Sequence, residues 1–243
     1  MSNGIVIVRL LGRFGNQCMQ YAYARAYAES IGAEFRCDRW LGQRVFKLED
    51  KPVGDPGPLT RRSELDVLPG ETNVDFMGYA QNERAMLYTR AQLHTWFTFR
   101  QDILDTLRNA LPHADDCCAH RRAGDYFGYG YPVVSEESYH LFARTFGIPK
   151  ITWITEEDPT VVDGFDREMG FLPDFYRLMR CRILLRGNSS FSWLAGCLNP
   201  HGQIYSPIID GLDGGKEHLC QFVAGNHPRF ANLGYTRELH LKP

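Results

Sequence analysis

The stretch Cys117-Cys118-Ala119-His120-Arg121-Arg122-Ala123-Gly124-Asp125-Tyr126 decides how this chain is read. It opens as a short apolar run and then delivers a histidine, two arginines and an aspartate around a turn glycine. An apolar strand ending in such a cluster is a buried strand whose C-terminal end presents charge into a crevice, where open α/β sheets bind ligands. Arginine there offers a rigid fork of donors suited to phosphate. A solvated loop carrying surface ion pairs has the same composition, so the rest of the chain decides between the two.

Toward the N-terminus, Ile5 to Leu11 is a β-branched run that predicts a buried strand. Gly12-Arg13-Phe14-Gly15-Asn16-Gln17 follows, then an alanine- and tyrosine-rich segment to Ile31, closed by Gly32. Met19, Tyr23, Tyr27 and Ile31 fall at helical spacing as a core stripe, with Arg25 and Glu29 able to pair on another face. Strand, glycine loop and helix N-terminus together invite an anion. Asn16 as the N-cap is the simpler use of that loop, and Arg13 is the residue a mere turn does not need. Beyond Phe35 the pattern dissolves. A short strand is expected over Val74–Tyr79 and a helix over Gln101–Leu111, with a domain boundary at 112/113.

Toward the C-terminus, Phe127–Pro132 reads as an aromatic loop, Ser135–Phe146 as a helix and Ile151–Ile154 as a strand. Asp174–Met179 reads as a short helix and Arg182–Arg186 as a strand running into Gly187-Asn188-Ser189-Ser190-Phe191-Ser192-Trp193. A helix to Leu198 and a strand at Ile204–Pro207 follow. Hydroxyls and backbone donors opening a helix are what a diphosphate binds, whereas N-capping would need only one of Ser189 and Ser190. Alternating strands and helices in both halves mean parallel sheets.

Of 243 residues, 44% are hydrophobic, enough for one large or two modest cored domains. A net charge of −2 argues against a broad nucleic-acid or anionic-membrane surface and leaves room for a local basic pocket. No apolar run has membrane-span length, and no signal peptide is visible. Seven cysteines without a CxxC pair read as reduced thiols, hence a cytoplasmic protein, with a membrane-associated position the other expectation.

Four ordered blocks resemble the α-1,2-fucosyltransferases, the inverting GDP-fucose enzymes of glycosyltransferase family 11. Gly12-Arg13-Phe14-Gly15-Asn16-Gln17-Cys18-Met19-Gln20-Tyr21 is similar to the family's G-x-x-G-N-Q-x-x-Q-Y, and its opening also to that of protein O-fucosyltransferases. Gly78-Tyr79-Ala80-Gln81-Asn82-Glu83 resembles G-Y-x-Q-S/N-E. His120–Tyr126 resembles H-x-R-R-G-D-Y, and Asn188–Trp193 resembles N-S-T/S-F-S-W. The resemblance implies a GT-B-like α/β architecture of two Rossmann-like parallel-sheet domains facing a cleft. Residues 1–112 would form the acceptor side and 113–243 the GDP-sugar side. It implies transfer of fucose from GDP-fucose to a glycan acceptor, α-1,2 to a galactoside, without metal or cofactor. Arg13, Asn16, Arg122 and His120 would be catalytic; Gly15, Asp125, Asn188, Ser189, Ser190, Phe191 and Ser192 would bind donor. That corrects a purely physical reading, which would put a phosphate on the Gly12–Asn16 loop.

The departures are Ala123 where the family has a second arginine, and a chain with little after Pro207. Alternation along a strand puts Arg122 with His120 and Arg121 opposite, so Arg122 is the expected phosphate ligand. Breaking the C1–O bond leaves negative charge on the β-phosphate, which Arg122 and the helix start at Ser189–Phe191 would meet. Asp75, Glu83 and Asp125 are candidate bases, Asp125 having a structural pair with arginine as its other use. A GDP-sugar-binding protein with little turnover and a transferase of another GDP-sugar are the rival readings.

Overall fold

The computed structural model describes residues 4–82, 85–209 and 215–226, and the chain forms two compact units, one within Met1–Gln101 and one within Asp102–His240. The division falls between Gln101 and Asp102, after the first residue of the helix Gln101–Ala110. Just behind that helix, Arg180 of the second unit donates to the carbonyls of Leu111 and Pro112 at 2.8 and 3.3 Å.

The first unit carries β1 (Ile5–Val8), α1 (Phe14–Ile31), β2 (Glu34–Cys37), α2 (Leu41–Val45), β3 (Thr60–Arg62), β4 (Val74–Phe76) and α3 (Arg90–Trp96). Its sheet has the order β2-β1-β4-β3 with every pairing parallel. β1 stops at Val8, short of the expected Leu11, because the next residues turn into the glycine loop. α1 ends at Gly32, whose left-handed φ of 66° suits a residue without Cβ. Instead of one apolar stripe, α1 is buried on most of its surface, while Ile31 is only half-buried. Alanines let neighbouring segments approach closely, and the tyrosine rings fill the remaining space, Tyr23 lying 4.6 Å from Phe76. Arg25 and Glu29 pair at 3.2 Å as the i, i+4 spacing predicts. α3 escaped the sequence reading although Thr89 and Gln92 form a full capping box.

The second unit carries α4 (Gln101–Ala110), β5 (Cys117–His120), α5 (Gly124–Tyr129), β6 (Val133–Val134), α6 (Glu136–Thr145), β7 (Thr152–Ile154), α7 (Leu172–Arg180), β8 (Ile183–Leu185), α8 (Ser190–Leu198), β9 (Gln203–Ile208), β10 (Glu217–His218) and β11 (Gln221–Ala224). Its main sheet has the order β11-β9-β8-β5-β7, parallel apart from β11 on β9. Cys117 and Ala119 share one core with Ile183, Leu185, Tyr139 and Phe142, while Cys118 points the other way toward the Arg177 carbonyl. Both faces are covered, which is why β5 and β8 read as unbroken apolar runs. The first half of the expected aromatic loop at 127–132 is instead the end of the short helix α5, which buries Tyr126 and stops at Gly130. Among the described residues no helix is long and apolar enough to cross a membrane.

Candidate functional site

In the second unit the chain passes from β5 to β7 on one side and then crosses to β8 on the other. The strand order therefore reverses between β5 and β8, the point where open parallel sheets form a ligand crevice beyond the strand C-termini. The two motif segments that the sequence singled out leave the sheet from these two strands.

Beyond β5 the two arginines diverge. Arg121 pairs with Glu136 at 3.5 Å and with Glu217. Arg122 pairs through Nη2 with Asp125 Oδ1 at 2.6 Å and through Nη1 with Glu156 Oε1, its guanidinium 5.2 Å from the Tyr126 ring centre. Ala123 is buried with Tyr126 and Val133, so position 123 faces packing.

Beyond β8, Gly187 runs so close to β5 that a Cβ on it would lie 2.5 Å from the His120 carbonyl. Asn188, Ser189, Ser190 and Ser192 are all buried. Ser189 caps α8, its Oγ accepting from Phe191 N at 3.2 Å. Ser192 Oγ donates to the carbonyls of Gly187 and Ser189, both at 3.4 Å, which stiffens the turn. Tyr126 Oη donates to Asn188 O at 2.6 Å, joining the two segments. The Phe191 ring lies 5.5 Å from His120 and 5.1 Å from Phe175.

His120 is 5% exposed, and its pKa is pushed down to about 3 by burial first and then by Arg122 and Arg186. It is therefore neutral at physiological pH, and it adds polarity to the crevice but no charge. Its Nδ1 accepts no hydrogen bond among the described residues. Arg186, which the sequence reading passed over, is fully buried and donates from Nη1 to Asn226 Oδ1 at 2.9 Å. A charge ending an apolar strand is the signal that could have found it.

In the first unit the glycine loop is clamped from α1. Gln20 accepts from Leu11 N at 2.7 Å and donates to Leu11 O at 2.9 Å, while Gln17 donates to Gly12 O at 3.0 Å. Gly12 itself has φ 75°. Arg13, not Asn16, is the N-cap residue, and it is exposed. Asn16 and the buried Gly15 sit in the first turn, and Gln81 Nε2 donates to Asn16 Oδ1 at 2.7 Å. The first and second motif blocks thus meet. Asp75, one candidate base, accepts from Arg9 Nε at 3.1 and 3.3 Å. Glu83, another, lies outside the described residues. Glu64, not singled out in the sequence, accepts from Asn82 at 2.8 Å. The structure thus groups His120, Arg122, Asp125 and Asn188–Ser192 in the second unit, and Arg13, Gly15 and Asn16 in the first.

No family model and no curated protein matches the chain. Among solved structures, the fold built on these parallel sheets is similar to those of fucosyltransferases. NodZ α-1,6-fucosyltransferase soaked with GDP-fucose is similar at a TM-score of 0.54 and 17% identity, over 93% of this chain and 99% of that one. The NodZ fucosyltransferase from Bradyrhizobium gives 0.53 and 16%, over 85% and 96%. A point mutant of Arabidopsis thaliana FUT1 in complex with GDP gives 0.51 and 11%, over 93% and 75%.

Proposed function

We propose that the protein is an inverting fucosyltransferase that moves fucose from GDP-fucose to a hydroxyl of a glycan. The observation that carries this reading is the Tyr126–Asn188 hydrogen bond, which ties both donor-type motif segments together at the reversal point of the sheet. The similar structures named as fucosyltransferases, one soaked with GDP-fucose and one co-crystallized with GDP, support the same class. In this reading the units form a GT-B pair, the first on the acceptor side and the second on the donor side. Seven buried cysteine side chains are compatible with a reducing compartment, and the cytoplasm is the location proposed.

The chemistry follows from charge. As the C1–O bond breaks, negative charge grows on the β-phosphate and positive charge on the sugar. Arg122 and the amide groups opening α8 are fixed dipoles and charge aimed at the phosphate, so no metal is needed there. Ser190 and Asn188 add donors, Ser192 holds the turn, and Phe191 shapes the wall. Arg13 and Asn16 serve the transferred sugar. With Asp75 held by Arg9 and Asp125 by Arg122, the acceptor base is left unassigned.

The α-1,2 linkage rests on the sequence resemblance, whereas NodZ is named an α-1,6 enzyme. The test is GDP-fucose with a glycan array, linkages read from products, with GDP-mannose and EDTA arms. Fucosylated product that persists in EDTA is expected. GDP binding without product would establish a binding protein. Absence of GDP binding would overturn the donor site.

A further inference from the structure

Both terminal nitrogens of Arg122 are held by carboxylates, Nη2 by Asp125 and Nη1 by Glu156. The two are not equivalent. Asp125 stands in the first turn of α5, three residues from Arg122, and the helix sets its place. Glu156 reaches over from the segment after β7, on a side chain that is 34% exposed and has three rotatable bonds. Gly124 leaves the space that Glu156 fills: a Cβ at 124 would lie 2.5 Å from Glu156 Oε2. Two carboxylates on one guanidinium leave net negative charge, which repels a diphosphate approaching the same fork. A diphosphate can use Arg122 fully only when one carboxylate leaves, and the one on the longer side chain and outside a helix is Glu156.

We propose that Glu156 is an exchangeable counter-ion. In the ligand-free protein it occupies the Nη1 position that the β-phosphate of a nucleoside diphosphate takes, and it swings to water when that diphosphate binds. The proposal rests on reading the second unit as the GDP site. The exchange keeps Arg122 in one orientation while the site is empty. It also filters ligands. A tethered carboxylate competes at high effective concentration, so a single small anion loses to it. A diphosphate that also gains the amides of α8 prevails.

Calorimetric titration of GDP and of inorganic pyrophosphate into wild type, Glu156→Gln, Arg122→Gln and the double variant tests this. Glu156→Gln is expected to bind both ligands about five- to tenfold more tightly, the scale of one partly exposed ion pair. No gain is expected where Arg122 is already Gln. Unchanged or weaker binding by Glu156→Gln overturns the exchange, as does a gain that survives without Arg122. If Glu156→Gln does not fold, Glu156→Asp, one methylene shorter, is expected to shift affinity in the same direction, and unchanged affinity overturns the proposal. A pyrophosphate gain with GDP no better than pyrophosphate would uphold the exchange and sink the nucleotide reading. A protein that binds neither ligand in any form refutes both.

Discussion

Tyr126 donates its phenolic hydrogen to the backbone oxygen of Asn188 at 2.6 Å, so the segment leaving β5 and the segment leaving β8 are held as one piece. The residues stand 62 positions apart in the chain, and the bond is buried. Tyr126→Phe should cost about 1–3 kcal/mol of stability, because it leaves a buried carbonyl without its donor. Urea denaturation measures that loss, and GDP affinity should fall with it. A variant with the wild-type midpoint and wild-type affinity would show that the two segments hold their places without this bond.

The divergence of the two arginines separates their mutants. Arg121→Ala breaks partly exposed pairs with Glu136 and Glu217 and should lower stability by about 1 kcal/mol with kcat nearly unchanged. Arg122→Lys should lower kcat by about 10²–10³, since a point charge does not replace the fork. Turnover at saturating GDP-fucose, with thermal melts as the folding control, decides it. An inactive Arg121→Ala beside an active Arg122→Lys would exchange the two roles.

Adjacent serines should behave differently. Ser189→Ala removes the cap of α8 and should cost about 1 kcal/mol of stability. Ser190→Ala should keep the fold and weaken GDP by roughly 1.5–3 kcal/mol, as for a lost bond to a charged group. Titration calorimetry on the folded Ser190→Ala protein checks this, and unchanged affinity would move the diphosphate elsewhere.

Asn16 and Gln81 lie 2.7 Å apart and should act as a unit. In a double-mutant cycle of Asn16→Ala and Gln81→Ala on kcat/KM, a coupling of about 0.5–3 kcal/mol is expected. Strict additivity would make the contact incidental to turnover.

His120 predicts a pH dependence of stability. Its folded pKa is depressed to about 3, while an unfolded histidine titrates near 6.5. Between those values the unfolded chain binds the extra proton, so stability is fully present above about pH 6.5 and falls as pH drops. From pH 7.5 to 5 the loss owed to His120 should be about 2 kcal/mol. His120→Gln should lose correspondingly less over that interval in urea titrations. Equal losses in the two proteins would mean that the folded imidazole accepts its proton without penalty.

Sequence alone determined what depends on neighbours along the chain. The β-branched run at Ile5, the apolar runs of β5 and β8, the helix ending at Gly32 and the ordered motif blocks all follow from local periodicity and local chemistry. So did the parallel, alternating character of both halves. Tertiary structure decided what depends on partners remote in sequence. It made Arg13 rather than Asn16 the N-cap, and it joined the Asn16 side chain to Gln81. It folded the stretch after Gly124 into α5, whose Tyr126 finds Asn188. It gave Asp75 to Arg9 and Glu156 to Arg122, buried Arg186, and depressed His120. Hydrogen bonds and ion pairs act over a few ångströms of space, and the chain separation of the groups they join leaves no periodic trace in the sequence.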